Sequence, residues 1–88
     1  MNLDTQTAVK LAKAWLASQL SEEGISNIGL EEVRWTDAAW EITLGFSRPW
    51  DEPQGFITPF SKQPRTYKVI RISDAEQSVV EMRNREAA

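Results

Sequence analysis

The sequence predicts an α+β domain: an N-terminal amphipathic helix packed on a three- to four-stranded antiparallel sheet, in the order helix, then strands. Three observations predict it. Apolar residues recur at helical spacing between Ala8 and Leu20. They recur at strand spacing from residue 28 onward. Turn-forming residues separate the periodic runs.

The helix comes first. At about 100° per residue, Ala8, Val9, Leu11, Ala12, Trp15, Leu16 and Leu20 fill one half of the wheel, and Lys10, Ala14 and Ala17 the other. Asp4 is placed to cap the first turn, with Leu3 stapled against Ala8. Gly24 suits the left-handed stop position, with Leu20 and Ile25 as the accompanying apolar pair. The spacing predicts a helix from about Thr5 to Glu23. Glu22 and Glu23 would then oppose the helix dipole, at a cost of roughly a few tenths of a kcal/mol.

Four strands follow. Trp40, Ile42, Leu44 and Phe46 alternate with Glu41, Thr43, Gly45 and Ser47, which predicts a strand over 39–47 with one apolar face. Val33 and Trp35 alternate in the run before it, 28–36, and Thr36-Asp37-Ala38-Ala39 makes the hairpin turn. Ile28 and Leu30 are out of phase with Val33 and Trp35, which a bulge near Glu31-Glu32, or an irregular lead-in to the strand, would reconcile. A third strand covers 66–73, with Tyr67 and Val69 on one face and Ile70 and Ile72 on the other. After a turn at Asp74-Ala75-Glu76-Gln77-Ser78, Val79 to Arg83 pairs back with Val80 and Met82 in phase. The residues from Asn84 onward are expected to fray.

Between the second and third strands lies an aromatic loop, 48–65, which holds every proline: Pro49, Pro53, Pro59 and Pro64. A loop of this length in a compact domain is usually functional or disordered, and disordered linkers lack so many aromatics. Trp50, Phe56, Ile57 and Phe60 are therefore the candidate partner-binding residues, of the type that forms interface hot spots. The competing reading is a strap over the open face of the sheet. One helix covers one face, and the third strand carries apolar side chains on both.

Composition bounds the chemistry. The 88 residues suit a single domain (1–88) with one modest core. Apolar residues make up 41% and charged residues 26%, as in an ordinary globular protein. The absence of Cys removes disulfides, thiolate nucleophiles and thiolate metal sites, and the absence of His removes the usual acid–base group. A Ser nucleophile would lack its customary base. The expectation is therefore a non-enzyme with no catalytic residues, no cofactor and no metal. The opening residues have no basic segment followed by an apolar run, so no signal peptide and no membrane association are expected, and a cytoplasmic setting is.

Charge is uneven. Residues 1–61 carry four bases against nine acids, a net of −5, and residues 62–88 six bases against four acids, a net of +2. Arg65, Lys68 and Arg71, with Tyr67, form the candidate face for RNA or phosphate. The overall charge of −3 and the lack of a Gly-rich phosphate loop argue for solvated strand charges instead. Glu31-Glu32 would point to opposite faces of a strand and so would not converge. Asp51-Glu52 has no calcium-loop pattern around it.

A helix of the Ala-x-x-x-Ala type is followed by Trp40-Glu41-Ile42, Tyr67-Lys68-Val69, and an Asp74-Ala75 turn leading into Val79-Val80. This order resembles the PepSY domain and, more loosely, the cystatin-like helix-on-sheet architecture. The loop 48–65 is longer than that pattern, and Gln77-Ser78 stands where its last turn has Gly. The resemblance implies a binding or inhibitory module. Together these readings lead to a non-enzymatic protein-interaction module, such as an inhibitor, immunity or accessory subunit of a bacterial system. The alternatives are a homodimer that hides its open sheet face or edge, and a weak RNA- or phosphate-binding protein.

Overall fold

A computed structural model describes residues 2–48 and 66–85. Helix α1 spans Thr5–Gln19, a 3₁₀ turn follows at Ser21–Glu23, and four strands complete the chain: β1 (Ser26–Thr36), β2 (Ala39–Ser47), β3 (Thr66–Ser73) and β4 (Ser78–Asn84). The strands form one antiparallel sheet in the order β1-β2-β3-β4. This is the predicted α+β architecture.

Helix α1 starts where its sequence asks it to. The Asp4 carboxylate accepts the Thr7 backbone N–H at 2.7 Å, satisfying one of the donors a helix start leaves unpaired. Its end differs from expectation. The α-helix stops at Gln19, not Glu23, because the Glu23 N–H turns to the Leu20 carbonyl at 3.0 Å and tightens the last turn into 3₁₀ form. Gly24, at φ 63°, then reverses the chain. Leu20 is buried and Ile25 packs on the same core, so the expected apolar pair is kept. Glu22 and Glu23 thus lie beyond the α-helix, and Glu23 pairs with Arg48 at 3.4 Å.

Directly opposed residues of an antiparallel pair share a face, so the register decides what each strand presents. In β1 the expected bulge is present: Leu30 faces Leu44 and Glu32 faces Thr43, leaving Glu31 as the extra residue. A second irregularity, around Asn27 at φ 56°, lies between Ser26 and Gly29. The phase shift at Glu31 puts Leu30, Val33 and Trp35 on one face, opposite Leu44, Ile42 and Trp40. Ile28 packs on the same core. Strand β3 sends Ile70 and Ile72 to that face and Tyr67 and Val69 to the other, as predicted.

Strand β4 corrects the sequence reading. Met82 faces Ile70 but Val79 faces Ile72, so a bulge at Val80 breaks the expected phase. Val79 and Met82 pack on the core, and Val80 is exposed. Asn84 and Arg85 do not fray: Asn84 faces Lys68, and the Arg85 N–H donates to the Tyr67 carbonyl at 3.3 Å.

The core lies between α1 and the sheet. Ala8, Ala12 and Leu16 form its helical line, fully buried, with Val9, Leu11 and Trp15 flanking it. Trp40, Ile42, Leu44, Phe46, Ile70 and Ile72 form its floor. Asp74, 7% exposed, ties the chain's lead-in to the hairpin tips. Its carboxylate accepts the Asn2 N–H at 2.6 Å and the Leu3 N–H at 2.8 Å, and its own N–H reaches the Ala38 carbonyl at 3.3 Å. The Trp40 indole N–H donates to the Leu3 carbonyl at 3.3 Å.

Candidate functional site

Two surfaces flank this core: the sheet face away from α1, and the side of the domain where α1 meets the edge strand β1.

Period-two alternation places Glu32 and Arg34 of β1, Glu41 and Thr43 of β2, Val69 and Arg71 of β3, and Glu81 and Arg83 of β4 on the face away from the helix. Glu41 sits at its centre with its side chain 12% exposed. Arg83 lies 2.8 Å from one carboxylate oxygen and Arg71 3.8 Å from the other. Arg83 also reaches Glu81 at 2.9 Å, and Arg85 reaches Glu32 at 3.6 Å. The hydrogen bond from Arg83 holds the Glu41 carboxyl below its usual range against the opposing effect of burial, and the charges of Arg83, Arg71 and Arg34 add to it. The same contacts raise the Arg83 guanidinium above its usual range.

These ion pairs lie across the second face among the described residues, whereas the strap expected over it falls on residues 49–65, outside them. The Glu32–Arg85 pair joins residues from opposite edges of the sheet, and both line the same shallow depression as Arg83, Thr43 and Val69. Val69 and Thr43 are buried beneath this polar layer. Long arginine stems lie along apolar surface and keep their charged heads in water. Among the described residues the face is polar, with three acids (Glu32, Glu41, Glu81) paired to Arg71, Arg83 and Arg85, and with Arg34 acting on Glu41 through its charge.

The side where α1 meets β1 differs in chemistry. Leu30 is 45% exposed and Trp35 42% exposed, both on the helix-side face of the edge strand. Trp35 meets the buried Trp40 edge-on, with ring centroids 5.0 Å apart. Thr5, Gln6, Val9, Lys10 and Lys13 of α1 with Leu30 of β1 enclose an open groove of about 520 Å³. Val9 is half-buried in the flank of the core.

The candidate residues read from the sequence distribute as follows. Trp50, Phe56, Ile57, Phe60 and Arg65 lie outside the described residues, as do Asp51 and Glu52. Lys68 and Arg71 are three apart on β3 and point to opposite faces. Lys68 donates to the Asn84 side-chain oxygen on the helix side, whereas Arg71 joins Glu41 on the other and approaches the Asp37 carbonyl at 3.5 Å. They therefore do not share a face, and Tyr67 lies with Arg71. Among the described residues no three acidic, Cys or His side chains converge as a metal site. No helix there is long and apolar enough to cross a membrane.

The Glu41-centred network and the α1–β1 groove escaped the sequence reading. Alternation within each strand signals the former, but only the register shows that Glu41, Arg71 and Glu81 stand abreast. The signal for the latter is Val9 beside Lys10 and Lys13 at the rim of the apolar stripe. Compared with known protein families, curated proteins and solved structures, the chain matches none.

Proposed function

We propose that this chain is a non-enzymatic protein-interaction module that engages its partner where α1 meets β1. One observation carries the reading: two large apolar side chains, Leu30 and Trp35, stand exposed on the edge strand, Leu30 lining an open groove. Trp is a preferred anchor residue at interfaces, and an apolar side chain that lines an open groove offers a second point of contact. The opposite face offers its polar groups mainly to one another, which makes it the weaker docking surface. In this role the module would act as an inhibitor, immunity or accessory subunit of a larger assembly, in keeping with the PepSY-like and cystatin-like order of its elements.

The test is to isolate a partner from the native host, reconstitute the complex from purified components and measure its affinity for the Leu30→Glu variant. Leu30 is an exposed side chain on an edge strand, so the variant should keep its unfolding midpoint. The complex should weaken by about ten-fold or more, the loss expected on removing an anchor side chain. Unchanged affinity would place the interface elsewhere and defeat the proposal.

A further inference from the structure

Among the described residues, Lys10 and Lys13 are the only charged ones that line the α1–β1 groove, and no carboxylate does. They belong to a stretch, residues 1–61, in which nine acids outnumber four bases. The groove is therefore a local positive site in an acidic part of the chain. Among the described residues neither lysine stands in an ion pair. Asp4 senses the charge of Lys10, but its carboxylate is engaged by the Thr7 N–H at 2.7 Å. Val9 and Leu30 supply the apolar surface between the two walls.

We propose that this groove takes an acidic, extended segment of a partner protein, its apolar side chains lying on Val9 and Leu30 and its carboxylates meeting Lys10 and Lys13. This inference rests on the interaction-module reading above and deepens it. The helical wall from Thr5 to Lys13 rises about 12 Å, the span of roughly four extended residues. An extended segment sends alternate side chains to opposite sides, so a sequence alternating apolar and acidic residues satisfies both parts of the groove. The bulge at Glu31 interrupts the outer edge of β1, so side chains in the groove, more than an added strand ladder, hold the segment. The apolar surface of Val9 and Leu30 suits peptide side chains better than a sugar–phosphate backbone.

The test is an amide-shift titration of the ¹⁵N-labelled chain. The probe is a capped hexapeptide alternating valine and glutamate, and the controls alternate valine with lysine and serine with glutamate. The acidic–apolar probe should move the amides of Val9, Lys10, Lys13 and Leu30 saturably, bind at least about ten-fold tighter than either control, and weaken with added salt. The double variant Lys10→Glu/Lys13→Glu should lose the response while keeping the spectrum of the sheet. No saturable shift, or equal binding of the valine–lysine peptide, overturns the inference. So does binding of a single-stranded RNA at these amides in place of the peptide, or movement of the same amides on concentrating the protein alone, which would make the occupant a second copy. A reconstituted complex sensitive to Leu30→Glu but indifferent to the lysine reversals and to salt removes the acidic partner and leaves the module standing. Indifference to all three changes removes both.

Discussion

Ala38 holds its backbone at φ 57° beside Asp37 at 51°. A two-residue hairpin turn whose twist matches its strands needs both central residues in the left-handed region, where Gly, Asn and Asp are favoured. Asp37 is of that type and Ala38 is not; its Cβ costs roughly 1 kcal/mol there. Ala38→Gly should therefore raise the unfolding free energy by about 1 kcal/mol, read from urea melts with an unchanged slope. Gln77, at φ 53°, invites the same change. Asp74 acts through charge. The backbone N–H groups of Leu3 and Asn2 hold its carboxyl below the usual range. Its folded pKa lies below its unfolded one, so the stability it contributes is fully present above the ordinary carboxylate value and is lost as pH falls through the lowered value. Asp74→Asn should lower the urea midpoint at neutral pH and flatten its decline in acid. Parallel pH profiles for the two proteins would show that Asp74 does not carry the effect.

At the scale of the elements, α1 approaches the sheet closely because Ala8 and Ala12 present only methyl groups to it and Leu16 fills the space that follows. Ala12→Leu should cost about 1–3 kcal/mol by overpacking, and Leu16→Ala about 2–5 kcal/mol by opening a cavity, both measured by denaturant unfolding. Equal tolerance of the two would mean that the interface is loosely packed. The elements also show what a sequence can specify. Strand β2 was legible residue by residue because one of its faces is apolar and the other is not. The break in β1 was legible because Ile28 and Leu30 conflict in phase with Val33 and Trp35. The break in β4 was not, because Val79 and Val80 are both apolar and either can face inward. Only pairing with Ile70 and Ile72 selects Val79. The early end of α1 was hidden for a similar reason. Leu20 and Gly24 fit an α-helical stop, and they fit equally a last turn wound as 3₁₀.

For the whole molecule, the sequence posed the right question about the second sheet face and supplied only part of the means to answer it. Val69 and Tyr67 mark that face as partly apolar in the sequence. Among the described residues, the groups paired across it are Glu32, Glu41, Arg83 and Arg85, which lie on three different strands and the residue beyond β4, and meet only through tertiary register. The groove was less legible still, since Leu30 is as apolar as any core residue and only its edge position leaves it exposed. A network centred on one carboxylate has a measurable consequence. Arg83→Met keeps an apolar stem opposite Val69 but removes the hydrogen bond that chiefly lowers the Glu41 pKa. The Glu41 titration, followed by carboxyl ¹³C shifts, should then move upward toward the ordinary glutamate value, while Arg71 and Arg34 retain part of the depression. Because Glu41 contributes stability above its unfolded pKa and loses it as pH falls through the lowered folded one, the variant should also lose less stability on acidification than the parent. An unmoved Glu41 titration would show that Arg71 and Arg34 alone set its charge and that Arg83 is a bystander on this face.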